Sequence, residues 1–156
     1  MVKNIFYVFL LSVMTMALYA QSVDISSTQM EANQSSKTVS FIGKAKVIQG
    51  DSWIFADKII VYFNENNQTK RYNAIGNVKF ELIKNNSHYK GHAKELIYKP
   101  LDKRYTIKGN AMIDDINNKR VIKGDSITLD MITGNAKVKG SSKKPVKVIF
   151  EMENKK

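Results

Sequence analysis

The segment TVSFIGKAKVIQG, residues 38–50, carries the pattern that decides the fold of this chain. Polar and apolar residues alternate on both sides of Gly43, as they do in a strand with one buried face. A glycine inside such a strand indicates a bend or a bulge, where the backbone turns or packs closely. The segment therefore predicts strand structure that bends near its middle, with an apolar face and a lysine-bearing face.

The same glycine returns along the chain at nearly constant spacing. Gly43, Gly76, Gly109 and Gly140 are separated by 33, 33 and 31 residues, and an apolar residue precedes them by 13, 17, 13 and 13 positions. This periodicity predicts that one supersecondary unit, a β-hairpin, is stacked on itself. A glycine at a hairpin corner and a glycine at a bend both fit the spacing, and bends at the same place in each unit would curve the whole sheet.

Alternation is also clear in residues 77–82 and 135–139 and looser in residues 147–150, and clusters of Asn, Ser and Asp lie between the alternating runs. Such clusters form turns, and the pattern is typical of a half-buried antiparallel sheet. We predict an all-β fold built on a single antiparallel sheet. An apolar face of this kind must fold over itself, and incomplete closure would leave an apolar groove inside.

Strand-by-strand alternation assigns a set of apolar residues to the inner face. The predicted lining of the groove is Val23, Ile25, Phe41, Val47, Ile59, Val61, Val78, Phe80, Leu82, Leu96, Tyr98, Ile107, Ile127 and Leu129. The same alternation also assigns to this face Ala45, Ile54, Phe63, Tyr105, Ile113, Val138, Val146, Val148 and Phe150. An ordinary core would show the same pattern, so alternation alone leaves both interpretations open.

The N-terminus predicts a secretory signal peptide over residues 1–20. Lys3 supplies the positive charge, residues 5–17 supply the apolar run, and Ala20 is the small residue expected at a cleavage point. The folded domain is then expected over residues 21–150, followed by a polar C-terminal tail over residues 151–156. Retention of the apolar run would instead make the protein membrane-anchored.

Composition narrows the function classes. The chain has no cysteine, and its formal net charge is +11, which favours an anionic partner. Because an exported protein rarely meets nucleic acid, we expect an anionic envelope component rather than a nucleic acid. Two histidines, His88 and His92, are four residues apart in a predicted turn and strand, and this geometry does not favour a metal site. No nucleophile, phosphate-loop or acid–base motif supports an enzyme.

Several ordered elements together resemble the OstA-like family, across roughly residues 23–150. The elements are residues 38–50, Ala56-Asp57-Lys58-Ile59, Gly91-His92-Ala93, Gly109-Asn110-Ala111 and Lys123-Gly124-Asp125-Ser126-Ile127-Thr128. The resemblance implies an open β-jelly roll of semi-oval section, located in the periplasm. It also implies that acyl chains of lipopolysaccharide lie in the apolar interior, and that the protein is not an enzyme and has no cofactor.

The resemblance further implies partners. Members of the family stack edge to edge and bridge an inner-membrane transporter complex and an outer-membrane assembly. We therefore expect strand addition at the first and last strands, near Val23–Ile25 and Val146–Phe150, together with self-association.

Three alternatives stay open from the sequence. The chain could be a membrane-anchored component of the same pathway, with its N-terminus uncleaved. It could be a structural β-repeat protein whose apolar face is only a core. A glycan-binding module is a further alternative, for which Trp53 is the one candidate aromatic residue.

Overall fold

The structure, a computed structural model, describes residues 22–153. The signal peptide expected over residues 1–20 lies outside the described residues. The described residues form one sheet of ten strands, and the predicted all-β antiparallel fold is confirmed. The strands are β1 (Val23–Ser26), β2 (Gln29–Asn33), β3 (Thr38–Gln49), β4 (Ser52–Phe63), β5 (Thr69–Lys84), β6 (Ser87–Lys99), β7 (Arg104–Asp115), β8 (Arg120–Asp130), β9 (Ala136–Lys139) and β10 (Lys147–Phe150).

The central strands pair in chain order. β3 to β8 form an antiparallel meander in which each strand is hydrogen-bonded to the next along the chain. Each end of the meander is covered by two short strands that share one long neighbour. β1 and β2 both pair with β3, and β9 and β10 both pair with β8.

Alternate strands carry a bulge at the repeated glycine. The pairing register shifts between residues 42 and 45 in β3, 75 and 78 in β5, and 108 and 111 in β7. Gly43, Gly76 and Gly109 have φ angles of 82°, 83° and 79°. Side chains with a Cβ rarely adopt this conformation, whereas glycine adopts it readily. The 33-residue period of the sequence is therefore a row of bulges that crosses the sheet.

Two expectations about the glycines need correction. The first three lie within strands, so they are bulges and not hairpin corners. Gly140 is not a bulge, because it follows the end of β9 and has no positive φ angle. A Cβ at Gly140 would lie 2.6 Å from the backbone nitrogen of Val146. Glycine is needed there because the following loop packs back closely.

The row of bulges divides the sheet into two halves. The first, the β1–β10 half, contains β1, β10 and the parts of β3 to β8 that lie on the same side of the bulges as these two strands. The second, the β2–β9 half, contains β2, β9 and the remaining parts of β3 to β8. We call the face that carries the core the inner face, and the opposite one the outer face.

Both halves contribute to one core on the inner face. Its buried residues are Ala45, Ala56, Ile59, Ala74, Val78, Phe80, Leu82, Ala93, Leu96, Ile107, Ala111, Ile113, Ile127 and Leu129. Next to the bulges the core side chains are small: Ala45 pairs with Ala56, and Val78 pairs with Ala93. Small side chains at the bend let the two halves pack against each other, so the apolar face folds over itself as expected.

Membrane-spanning helices are not found in the part of the chain that the structure describes.

Candidate functional site

An apolar cavity of about 180 Å³ opens between the two halves of the sheet. The β1–β10 half lines it from β1, β3, β4 and β5, and the β2–β9 half lines it from β4 to β7. The lining residues are Val23, Val47, Gln49, Ser52, Trp53, Ile54, Ile59, Thr69, Tyr72, Ala74, Leu82, Leu96, Tyr98, Pro100 and Tyr105. Charged residues are absent from this lining, which therefore favours apolar ligands.

Three tyrosines form a stacked row along the cavity. Tyr72, Tyr98 and Tyr105 are cross-strand neighbours on β5, β6 and β7. The ring centroids of Tyr72 and Tyr98 are 6.1 Å apart, and those of Tyr98 and Tyr105 are 4.3 Å apart. Stacked cross-strand aromatic pairs stabilise a sheet and present a flat apolar surface.

The hydroxyls of Tyr98 and Tyr105 remain neutral at physiological pH. Burial raises the pKa of Tyr98, and burial raises the pKa of Tyr105 further, with an added contribution from neighbouring Tyr98. Desolvation disfavours the phenolate in both cases. These two residues therefore add polar hydroxyl groups to the cavity without adding charge.

The structure sorts the fourteen predicted groove residues into three sets. Those that line the cavity are Val23, Val47, Ile59, Leu82, Leu96 and Tyr98. Those that are buried in the core without lining the cavity are Val61, Val78, Phe80, Ile107, Ile127 and Leu129. The remaining two are partly buried: Phe41 packs against the core, and Ile25 pairs with Val47. All fourteen stay predictions as lipid contacts.

Phe80 illustrates why an inner-face residue can lie away from the cavity. Its ring is 1% exposed and fills the space above Gly91, where a Cβ would lie 2.5 Å from the ring. Gly91 is the cross-strand partner of Phe80. The missing side chain on β6 therefore makes room for a large one on β5, and the pair closes the core of the β1–β10 half.

Sequence reasoning missed Tyr72 and Ala74 as part of the lining. Both alternate with Asn73 on β5, and this alternation was the available signal. It is obscured because Ile75, the next residue before the bulge at Gly76, is apolar yet 38% exposed on the outer face. Trp53 is also one of the lining residues.

On the outer face, Trp53 takes part in a polar cluster. Its indole Nε1 donates to Glu81 Oε2 at 3.0 Å, and His88 Nε2 lies 2.8 Å from Glu81 Oε1. Lys90 Nζ is 3.4 Å from the same oxygen. The hydrogen bond with His88, helped by Trp53 and Lys90, holds the pKa of Glu81 below its usual range. An indole that is held by this hydrogen bond is poorly suited to stack on a sugar ring, which disfavours the glycan-binding alternative.

Other candidate side chains are engaged in local structure. Asp115 accepts hydrogen bonds from the Asn118 side chain and from Arg120 Nε, so it closes the β7–β8 turn. Within residues 22–153, no group of three or more His, Cys, Asp or Glu side chains is arranged to hold a metal ion.

Comparisons with known proteins agree with this geometry. Residues 24–135 match the family model described as LptA/(LptD N-terminal domain) LPS transport protein. No curated protein matches the chain in sequence.

Among solved structures, the chain is similar to LptH, the LptA-homologous periplasmic component of the conserved lipopolysaccharide transport device of Pseudomonas aeruginosa. The TM-score is 0.72 at 12% sequence identity, and the match covers 85% of this chain and 96% of LptH. This likeness confirms the β-jelly-roll fold. The family match covers most of the chain, and the chain therefore belongs to the LptA/LptD N-terminal-domain family, with a role in lipopolysaccharide transport.

Proposed function

We propose that this protein is a periplasmic lipopolysaccharide carrier, one part of a protein bridge that takes lipopolysaccharide from the inner to the outer membrane. The observation that carries the proposal is the uncharged cavity between the two halves of the sheet. In this proposal the acyl chains lie along the inner face and the sugars stay outside. The family match and the fold of LptH support the same function.

The physical need for such a cavity is large. Burying one CH₂ group contributes about 0.8 kcal/mol, so exposing a chain of about 14 carbons to water costs on the order of 10 kcal/mol. A lipid with several chains cannot cross an aqueous compartment at that cost. The uncharged lining replaces water around the chains during the passage.

Entry of several chains requires the two halves to move apart. The cavity of about 180 Å³ is smaller than the roughly 300–1,000 Å³ of ordinary ligand pockets. The halves are joined through the bulges, and β1 and β10 are the end strands of their half. We infer that lipid enters by opening of the side away from the bulges.

The same end strands are the proposed contacts with neighbours. Val148, Ile149 and Phe150 of β10 are 48%, 47% and 62% exposed, and Val23 of β1 is 41% exposed. In the proposal, strand addition at these edges joins further copies, the inner-membrane transporter complex and the outer-membrane assembly. Continuous pairing would align the cavities of successive subunits.

Location in the periplasm needs export, and we propose that residues 1–20 are removed as a signal peptide. Mass spectrometry of the protein purified from envelope fractions decides between this and the membrane-anchored alternative. A mature N-terminus near residue 21 supports the carrier. An intact N-terminus would favour the anchored component.

Site-specific photo-crosslinking in living cells tests the acyl-chain path. A photoreactive phenylalanine at Tyr72 or Tyr98 replaces one aromatic ring of the cavity by another. Tyr62 is the matched control, because its ring lies on the outer face beneath Arg71, 4.0 Å from the guanidinium carbon. We expect adducts of lipopolysaccharide size at Tyr72 and Tyr98 and none at Tyr62.

Other crosslinking patterns would contradict the proposal. Equal adducts at all three sites would mean that lipid contacts the surface without a defined path. Adducts at none of them, in a protein that folds normally, would favour the structural β-repeat alternative.

A further inference from the structure

One row of residues on the outer face carries cations from one edge of the β1–β10 half to the other. Strand pairing aligns Lys46, Phe55, Lys79, His92, Met112, Lys123 and Lys147. Their chain neighbours Ala93, Ala111 and Ile113 are buried on the inner face, so this row points outward. Carboxylates are absent from the row, and neighbouring strands are only about 4.8 Å apart.

A cleft of about 280 Å³ lies at the end of this row that is formed by β6, β7 and β8. His92, Met112 and Lys123, three consecutive members of the row, form part of its lining. Its remaining lining residues are Asn110, Ala111, Gly124, Asp125, Lys144 and Pro145. The cleft is on the opposite face of the sheet from the apolar cavity, so the two sites share no lining residue.

Local structure holds Lys144 at the cleft. Its Nζ donates to Oδ1 of Asn110 at 2.9 Å, and Asn110 is the second residue of the β7 bulge. Its backbone N–H donates to Ser141 Oγ at 3.0 Å, and its carbonyl accepts from Ser141 N at 2.8 Å. The ammonium group is therefore positioned before any ligand arrives.

The positive charge of the cleft is not neutralised by ion pairs. Across the described part of the chain, neither Lys123 nor Lys144 lies within 4.0 Å of a carboxylate oxygen. Asp125 is the one acid in the lining. Two ammonium groups and an imidazole together offer N–H donors to a compact, multiply charged oxyanion.

We propose that this cleft binds a phosphoryl group. The row that continues through Lys79 to Lys46 lets the same surface contact a layer of phosphorylated lipid headgroups. A free phosphate ion would use the cleft alone. This site goes beyond the carrier function, because it is on the outer face and requires no lipid in the cavity.

Titration of the full mature chain with inorganic phosphate tests the site. Amide shifts of Gly124 and Asn110 are followed by NMR at constant ionic strength, with chloride as the competing anion. We expect saturable shifts with phosphate, weakened about tenfold by Lys123→Gln or Lys144→Gln. Lys99→Gln, at the far end of β6, is the matched control and should leave the affinity unchanged.

Asp125→Asn tests the direction in which charge changes the affinity for phosphate. Removing the one carboxylate of the cleft should tighten phosphate binding, because repulsion between like charges is lost. The proposal is overturned if the shifts do not saturate, if chloride reproduces them, if Lys99→Gln weakens binding as much as Lys123→Gln, or if Asp125→Asn weakens it.

Vesicle flotation separates the two sources of phosphate. Vesicles of phosphatidylglycerol are compared with vesicles of phosphatidylcholine, whose headgroups have no net charge. If the protein binds phosphatidylglycerol vesicles and Lys79→Gln reduces this binding, lipid headgroups are the source of the phosphoryl group. Saturable binding of inorganic phosphate without retention on vesicles identifies the free ion. Retention that is equal on both vesicle types, with no phosphate shifts, would also overturn the site.

Discussion

The inner and outer faces of the same strands obey different physical constraints. On the inner face, Phe80, Ile107 and Ile113 are at most 1% exposed, and Asp115 is the one charged residue buried there within residues 22–153. On the outer face, Lys79, Lys123 and Lys147 are exposed to solvent. Because both faces are encoded by alternate residues of one sequence, each strand has to satisfy a volume constraint and a charge constraint at once.

The comparison shows where substitutions should matter. At inner-face positions the size and shape of the side chain are constrained, because interiors are close-packed and relax only partly around a cavity. Outer-face positions are defined by charge, and water screens most of their interactions. Stability should therefore depend on the inner face, and binding of anions should depend on the outer face.

The largest effect is expected from Phe80→Ala. The ring is 1% exposed and occupies the space left by Gly91, so its removal should lower the free energy of unfolding by about 3–5 kcal/mol. Urea unfolding followed by tryptophan fluorescence measures this. Phe55→Ala is the outer-face control and should cost markedly less. Equal losses at the two positions would contradict the distinction between the faces.

A smaller effect is expected at the bulges. Gly109 and Gly134 have similar φ angles, 79° and 73°, but a Cβ at Gly109 would lie 2.7 Å from Lys94 Cβ, whereas nothing lies within 4 Å at Gly134. Gly134→Ala should cost about 1–2 kcal/mol for the backbone conformation alone. Gly109→Ala should cost about 1–3 kcal/mol more, because the row of bulges has to shift.

Thermal unfolding of both alanine variants measures this difference. If Gly134→Ala proved as destabilising as Gly109→Ala, backbone conformation alone would explain the glycine period. Close packing along the row of bulges would then not be needed to explain the glycine period.

The smallest effect is expected from Glu81 on the outer face. Because its pKa is lowered in the folded state, its ionised form stabilises the fold above the unfolded-state pKa, and that contribution is lost as the pH falls through the folded-state pKa. As the pH falls from about 5 to about 3, the free energy of unfolding of Glu81→Gln should therefore decrease less than that of the natural chain.

Melting temperatures across this acid range measure the effect. His88→Ala should act in the same direction, because His88 makes the hydrogen bond that lowers the pKa most. Parallel pH profiles for the natural chain and Glu81→Gln would show that the cluster has no role in stability.

Alternation and the glycine period were enough to predict a single antiparallel sheet, because each long strand is half-buried and pairs with its neighbour along the chain. The jelly-roll arrangement was predicted from the family resemblance. The two patterns were less informative at the edges of the sheet. Val148 and Phe150 alternate as inner-face residues do, yet both are exposed. Within residues 22–153, β10 pairs with β8 alone and no other element covers it. An alternation pattern encodes which face a residue occupies, but not whether another layer covers that face.

The candidate site was only partly predictable for a related reason. Leu96 lines the cavity, whereas Ile107, its equally buried cross-strand neighbour, does not. Their patterns in sequence are equivalent. The difference depends on how closely the two halves of the sheet approach at each strand, and this distance is a property of the packed core. Sequence patterns could therefore identify the inner face but not the open part of it.

The bulge in every second strand also makes the protein modular. One bulged strand and one unbulged strand form a unit of 33 residues, and successive units repeat the same register shift. Insertion or loss of a whole unit would keep the row intact and change the width of the sheet by two strands, about 9.6 Å. A partial insertion would break the row. Length variation among homologues should therefore occur in whole hairpins, and the volume of the interior should change in equal steps.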